Sequence, residues 1–180
     1  MKIASTVLLS ASLLLASPCS SQQMRILVLD AHNGRPVSDE CLNISLGPWH
    51  GADLFAPTNK VGIVTLSFSK DSVSAEPVAG NKACGGMNLT KNFSAADAPD
   101  LIAILPNRNV SCQYSREQTK NPAWLHNPLY QSIIPSIKLQ DVLVEGVVAV
   151  NTCSKLKPIP IPGELILVVR KVTFMEGMRS

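Results

Sequence analysis

The sequence comprises 180 residues, with 16 basic and 13 acidic side chains and a formal net charge of +3. No group of Lys and Arg is denser than Arg170-Lys171, so the sequence lacks the basic footprint of a nucleic-acid-binding protein and the polybasic patch of a membrane-surface protein. The length suits one domain with its own core, and no internal repeat is present.

The first 21 residues have the three parts of a secretory signal peptide. Lys2 supplies the positive start, residues 7–16 form an apolar run, and small residues surround Pro18. A membrane anchor would need about 20 apolar residues, and this run is much shorter. We therefore expect residues 1–21 to be removed and the protein to be exported to the periplasm or the outside, with no transmembrane segment in the mature chain. A lipid anchor at Cys19 is less favoured, because Pro18 stands where lipoprotein signals usually have a small residue.

Five segments predict β-strands, and they differ in how their apolar residues are arranged. Apolar and polar side chains alternate along residues 61–69, which is typical of a strand with one buried and one solvent-exposed face. Two other segments are near-continuous apolar runs rich in β-branched residues, which is typical of buried strands, and two are shorter candidates. The continuous runs are residues 24–29 and 165–169, and the short candidates are residues 41–46 and 101–105.

One segment, residues 135–144, predicts a short helix, with Ile137, Val142 and Leu143 roughly on one face and Pro135 near its start. Thirteen prolines and ten glycines divide the rest of the chain into short strands and turns. The pattern predicts an all-β protein, an antiparallel β-sandwich of about seven strands in a single domain over residues 22–180.

A dense group of polar residues follows the first predicted strand. Asn33 and Gly34 favour a turn because both tolerate positive φ, and Pro36 then sets the direction of the exit. Asp30 closes the strand and can accept hydrogen bonds from the backbone of that turn. The sequence therefore predicts a turn formed by Asp30, Asn33, Gly34 and Pro36, with His32 facing water.

A metal site is the alternative interpretation of this group, which continues to Asp39 and Glu40. It would need further ligands, and the nearest candidates are His50 and Asp53. A metal-dependent hydrolase would then use His32, His50 and Asp53. Turn chemistry explains each residue by itself, and the sequence contains no nucleophile elbow, P-loop or His-Glu-x-x-His motif. We therefore expect no catalytic residues, no metal and no cofactor.

The two tryptophans, Trp49 and Trp124, lie in loops that contain proline and histidine. A core position and a sugar-stacking or partner-binding position both fit such a tryptophan, and the core position is the commoner case. The partner class that remains open is an envelope protein or a glycan.

Four cysteines follow the predicted signal peptide. An even number in an exported chain predicts two disulfides, for which three pairings are possible. A zinc site does not fit, because no two of these cysteines are two to four residues apart and none has a histidine nearby in sequence. The four are Cys41, Cys84, Cys112 and Cys153.

The region from residue 25 to residue 70 resembles the carboxypeptidase-regulatory-like domains of the transthyretin-related type. The resemblance rests on a strand that ends at Asp30, a turn with Gly34, a Pro-Val step, a second strand, and then Thr58 and Gly62 ahead of an alternating strand. It implies a seven-stranded β-sandwich of an exported bacterial protein, without catalysis of its own.

The C-terminal half is similar to a group of small exported bacterial proteins that have no assigned activity. The similarity is carried by a Gly-Val-Val step at Gly146, an Asn-x-Cys step at Cys153, a Pro-Gly step and a final strand. It implies that Cys112 is bonded to Cys153, which leaves Cys41 to bond with Cys84. Together the two resemblances imply a stand-alone, exported sandwich protein and leave its function open. The function that we expect is a non-catalytic binding or structural module of the cell envelope, which needs only a stable exported sandwich and its loops. The metal-dependent hydrolase is the alternative.

Overall fold

The computed structural model describes residues 22–47, 53–79, 84, 88–93, 100–112 and 137–171. These residues form eleven β-strands and one short α-helix. The predicted signal peptide, residues 1–21, lies outside the described residues, as do His50, Trp49 and Trp124. Within the described ranges, no helix has the length and apolar character that crossing a membrane requires.

The strands are short and follow one another closely along the chain. In chain order they are β1 (Gln22–Asp30), β2 (Cys41–Leu46), β3 (Leu54–Pro57), β4 (Ile63–Phe68), β5 (Ser72–Ala75), β6 (Thr90–Asn92), β7 (Leu101–Pro106), β8 (Asn109–Ser111), β9 (Ile137–Lys138), β10 (Val147–Val148) and β11 (Glu164–Lys171). The helix α1 (Leu139–Val144) begins directly after β9 and covers the second half of the segment predicted to be helical.

The strands form two sheets. The larger sheet has seven strands in the order β10-β11-β1-β4-β5-β6, and β8 also pairs with β11. The smaller sheet has four strands in the order β3-β2-β7-β9. Apolar side chains from both sheets and from α1 form one hydrophobic core, to which the longer strands contribute alternate residues.

The alternation in β4 is the one that the sequence predicts, with Val64, Leu66 and Phe68 buried. The sequence of strand β1 is a nearly continuous apolar run, but its burial alternates too. Ile26, for example, is buried, whereas Arg25 is exposed. Strand β11 differs, since every residue from Glu164 to Val169 is buried. Of the two apolar runs, β11 is therefore the strand that is buried on both faces.

The prediction of a purely antiparallel sheet is wrong. Strands β1 and β11 pair in parallel from Arg25 opposite Glu164 to Asp30 opposite Val169, and β10 and β11 are also parallel. Parallel neighbours need a long crossover connection, and residues 149–163 form it between β10 and β11 without a helix. The described residues also contain eleven strands rather than about seven, because several strands are only two to four residues long.

The crossover runs as an extended segment whose side chains alternate between half-buried and exposed positions. Leu156 is half-buried, and a Cβ atom placed on Gly34 would lie 3.3 Å from its Cδ2 atom. The crossover therefore passes close to the turn that follows β1.

Candidate functional site

The polar group after β1 forms a turn whose side chains bond within the turn itself. The Asp30 carboxylate accepts hydrogen bonds from the backbone N–H groups of His32 (2.7 Å) and Asn33 (3.3 Å). The Asn33 side-chain oxygen accepts the Arg35 N–H at 2.8 Å. Gly34 has a φ of +70°, and its N–H donates to the backbone oxygen of Asp30 at 2.8 Å. The His32 side chain is exposed, so these residues form a local structural motif at the surface.

The residues that follow this turn, Pro36 and Val37, pack against the end of β1 and against Gly62. Pro36 forms an isolated bridge with Leu29, and the Val37 N–H donates to the Val28 oxygen at 2.9 Å. Gly62 packs against this segment with a φ of +73°, and a Cβ atom on it would lie 3.0 Å from both the Val28 oxygen and the Val37 nitrogen. A Cβ atom on Gly62 would lie 2.8 Å from the Pro36 Cβ atom, so the close approach requires glycine at this position.

Glu40, which the sequence groups with the metal candidates, is a buried structural residue. Its side-chain oxygens accept hydrogen bonds from the Arg108 N–H at 2.7 Å and from the Asn109 amide at 2.5 Å. Its backbone N–H donates to the Thr58 hydroxyl at 2.9 Å, and that hydroxyl donates to the Val37 oxygen at 2.8 Å. Both oxygens of the carboxylate therefore have donors that stabilise the charge in the interior.

Asp53 is the carboxylate of the hydrolase hypothesis, and its side chain also bonds to other residues of the protein. One carboxylate oxygen accepts the Leu46 N–H at 2.8 Å, and the other lies 3.2 Å from the Lys91 ammonium. Within the residues that the structure describes, no group of three or more His, Cys, Asp and Glu side chains is placed to hold a metal ion. His50 lies outside those residues, so the part of the metal-site alternative that depends on it stays a prediction.

The four cysteines form two disulfides, and the pairing is the one that the resemblance implies. Cys41 is bonded to Cys84 and Cys112 is bonded to Cys153, with a Cα–Cα distance of 5.2 Å in each. The Cys41–Cys84 bond is buried together with Phe55. The second bond attaches the start of the crossover to the end of β8, where the Thr152 N–H and hydroxyl both donate to the Cys112 oxygen at 2.7 Å.

A polar groove lies on the face of the larger sheet that points away from the core. It has a volume of about 620 Å³, and its floor consists of outward side chains from three adjacent strands, with Pro77 and Pro162 also in the lining. We call it the sheet-face groove. The polar side chains that define it are Gln23, Arg25, Thr65, Ser67, Ser74 and Glu76.

Three hydroxyl side chains in the sheet-face groove are half-buried. Among the described residues, the hydroxyl groups of Thr65, Ser67 and Ser74 form no hydrogen bond with the protein. Ser69 and Ser72, at the turn beyond the groove, differ, because their hydroxyl oxygens lie 2.7 Å apart and bond to each other. Sequence reasoning missed the groove, since only strand register places side chains from β1, β4 and β5 together.

Comparisons of the chain with models of known protein families, with curated proteins and with solved structures find no match. The two resemblances drawn from the sequence therefore remain predictions.

Proposed function

We propose that the protein is exported and acts as a non-catalytic binding module of the cell envelope, with the sheet-face groove as its binding surface. One contrast carries this proposal. The carboxylates of Asp30, Glu40 and Asp53 are all engaged in structural bonds. The groove hydroxyl groups form no hydrogen bond with any residue that the structure describes. Polar groups that converge in a cavity without protein partners are the usual means by which a binding site orients its ligand.

Export is supported by the two disulfides, because such bonds persist in oxidising compartments and are rare in the cytosol. It is also supported by the signal-peptide pattern of residues 1–21. The core shared by the two sheets supports a sandwich of the carboxypeptidase-regulatory-like type. The parallel pairing of β1 with β11 is a departure from the antiparallel sandwich that the sequence predicts. Residues 22–180 would then form one such domain.

The experiment that tests the function is a pull-down from the envelope fraction with the intact, oxidised protein. We expect a protein or a glycan to be retained by the wild type and to be lost with Ser67→Lys, because a lysine side chain would fill the sheet-face groove. The matched control is Ser38→Lys, which adds the same charge at an exposed position outside the groove. Equal retention by the two variants would contradict the groove as the binding surface.

N-terminal sequencing of the protein recovered from the same fraction tests export separately. We expect a chain that begins near Gln22. Recovery of the protein with Met1 retained, or recovery only from the cytosol, would contradict export.

A further inference from the structure

We infer that the sheet-face groove binds an uncharged, hydroxyl-rich carbohydrate chain, an inference that rests on the proposed binding function. Four features of the groove favour this chemical class of ligand. These features are the spacing of its polar side chains, its charge, the type of hydrogen bond it offers and its apolar walls.

Strand register arranges the polar side chains of the groove in two rows that run across the strands. In the first row Gln23 lies opposite Ser67, and Ser67 lies opposite Ser74. In the second row Arg25 lies between Glu164 and Thr65. Neighbouring strands are about 5 Å apart and the two rows are about 7 Å apart, given ordinary sheet geometry. The polar surface is therefore longer than a single sugar ring and suits a short chain of rings.

The charge of the groove disfavours an anionic ligand. Arg25 is the one cation in the lining, and its guanidinium group lies 3.8 Å from the carboxylate of Glu164, which is almost fully buried. Glu76 adds a second carboxylate at the other end of the same row, where its N–H donates to the Thr65 oxygen at 2.9 Å. The lining carries one acid and one base, and the Glu164 carboxylate next to it offsets the charge of Arg25. The groove therefore has no net positive charge that would attract phosphate, sulfate or nucleic acid.

The hydrogen bonds that the groove offers come from side chains rather than from the backbone. Strands β1, β4 and β5 pair with neighbours on both sides, so their backbone groups are already bonded within the sheet. An extended peptide that binds by strand addition needs a free sheet edge, which this face does not provide. Hydroxyl and amide side chains both donate and accept, which matches the hydroxyl groups of a sugar.

The walls of the groove supply apolar surface beside these polar rows. Pro77 and Pro162 are exposed, and both line the groove. A pyranose ring has C–H groups on its faces and hydroxyl groups on its rim. It can therefore contact the proline rings while its hydroxyl groups bond to Ser67 and Ser74.

The test is a titration of the intact, oxidised protein with neutral gluco-, manno-, galacto- and N-acetylhexosamine oligosaccharides at millimolar concentration, followed by calorimetry and by NMR. We expect at least one series to bind and to shift the amide signals of β1, β4 and β5. Ser67→Ala and Ser74→Ala should each weaken binding by about two- to tenfold, the loss expected for one hydrogen bond. Ser38→Ala, which removes an exposed hydroxyl group outside the groove, should leave the affinity unchanged.

Two outcomes overturn the carbohydrate inference and leave the proposed binding function standing. The first is binding of dextran sulfate or inorganic phosphate alone, with loss of binding in Arg25→Gln. The second is recovery of a protein partner from the envelope fraction, with retention that depends on Ser67, while no oligosaccharide binds. If no oligosaccharide binds and the envelope pull-down retains nothing, both the inference and the proposed function are wrong.

Discussion

The side-chain amide of Asn109 donates a hydrogen bond to the carboxylate of Glu40, and this contact connects the two sheets. Glu40 directly precedes β2 of the smaller sheet, and Asn109 begins β8, which pairs with β11 of the larger sheet. The Arg108 N–H donates to the other carboxylate oxygen. Glu40 thus holds the short connection at which the chain passes from β7 in one sheet to β8 in the other.

Replacement of Glu40 tests this connection. We expect Glu40→Ala to lower the free energy of unfolding by about 3 kcal/mol, because it removes two charge-assisted hydrogen bonds and leaves their donors without a partner. Glu40→Gln keeps one acceptor and should cost about half as much. Urea denaturation measures both, with Glu145→Ala as an exposed control that should stay within about 0.5 kcal/mol. Similar values for Glu40→Ala and the control would contradict the role of Glu40.

We expect Thr58 to stabilise the fold mainly through the hydrogen bonds of its hydroxyl group and less through the packing of its side chain. Thr58→Val keeps the shape of the fully buried side chain but leaves the Glu40 N–H and the Val37 oxygen unpaired. We expect it to lower the free energy of unfolding by about 2–4 kcal/mol. Thr58→Ser keeps the hydroxyl group, loses one methyl group and should cost about 1 kcal/mol. If thermal denaturation ranks the two variants in the opposite order, packing is the dominant effect at this position.

Alanine substitutions at Gly62 and Gly47 test the close packing of Gly62 against the segment that follows the first turn. Both have positive φ, but a Cβ atom on Gly62 would meet Pro36 and the Val28 oxygen, whereas a Cβ atom on Gly47 would meet nothing within 4 Å. Gly47→Ala should cost about 1–2 kcal/mol, the penalty for a left-handed backbone. Gly62→Ala should cost about 3 kcal/mol or more, because steric overlap is added. Equal melting temperatures for the two variants would contradict the close packing at Gly62.

The disulfide pairing is tested by peptide mapping without reduction. We expect one peptide that joins Cys41 to Cys84 and one that joins Cys112 to Cys153. Removal of Cys112 and Cys153 together should lower the free energy of unfolding by about 4 kcal/mol, since the bond closes a loop with a sequence separation of 41 residues. A peptide that joins Cys41 to Cys112 or to Cys153 would contradict both the pairing and the strand order.

The metal content of histidine variants distinguishes a binding module from a metal-dependent hydrolase. His32 is exposed, so we expect His32→Ala to change the free energy of unfolding by no more than about 0.5 kcal/mol. The sequence places His50 in a loop that contains proline and glycine, and we expect an equally small effect of His50→Ala. Metal analysis of the purified protein should give the same metal content for the wild type and both variants. Stoichiometric loss of a bound metal in either variant would instead support a metal-dependent hydrolase that uses Asp53.

The turn at residues 30–36 and strand β4 could be predicted because their causes are local. Asp30 bonds to groups two and three residues away, and the alternation of β4 follows from the opposite directions of successive side chains in a strand. The partners of Glu40 and Asp53 could not be predicted, because they are far along the chain. Glu40 bonds to residues 68 and 69 positions away, and Asp53 pairs with Lys91.

The sequence by itself determined the β-rich class, the main strands and the first turn, since side-chain period and short-range hydrogen bonds act within a few residues. Tertiary structure alone decided that β1 and β11 run in parallel, because the proline-containing crossover has no local pattern that sets strand direction. It also decided where the sheet-face groove lies. Gln23, Ser67 and Ser74 are distant in the chain, and they become neighbours only when backbone pairing sets β1, β4 and β5 in register.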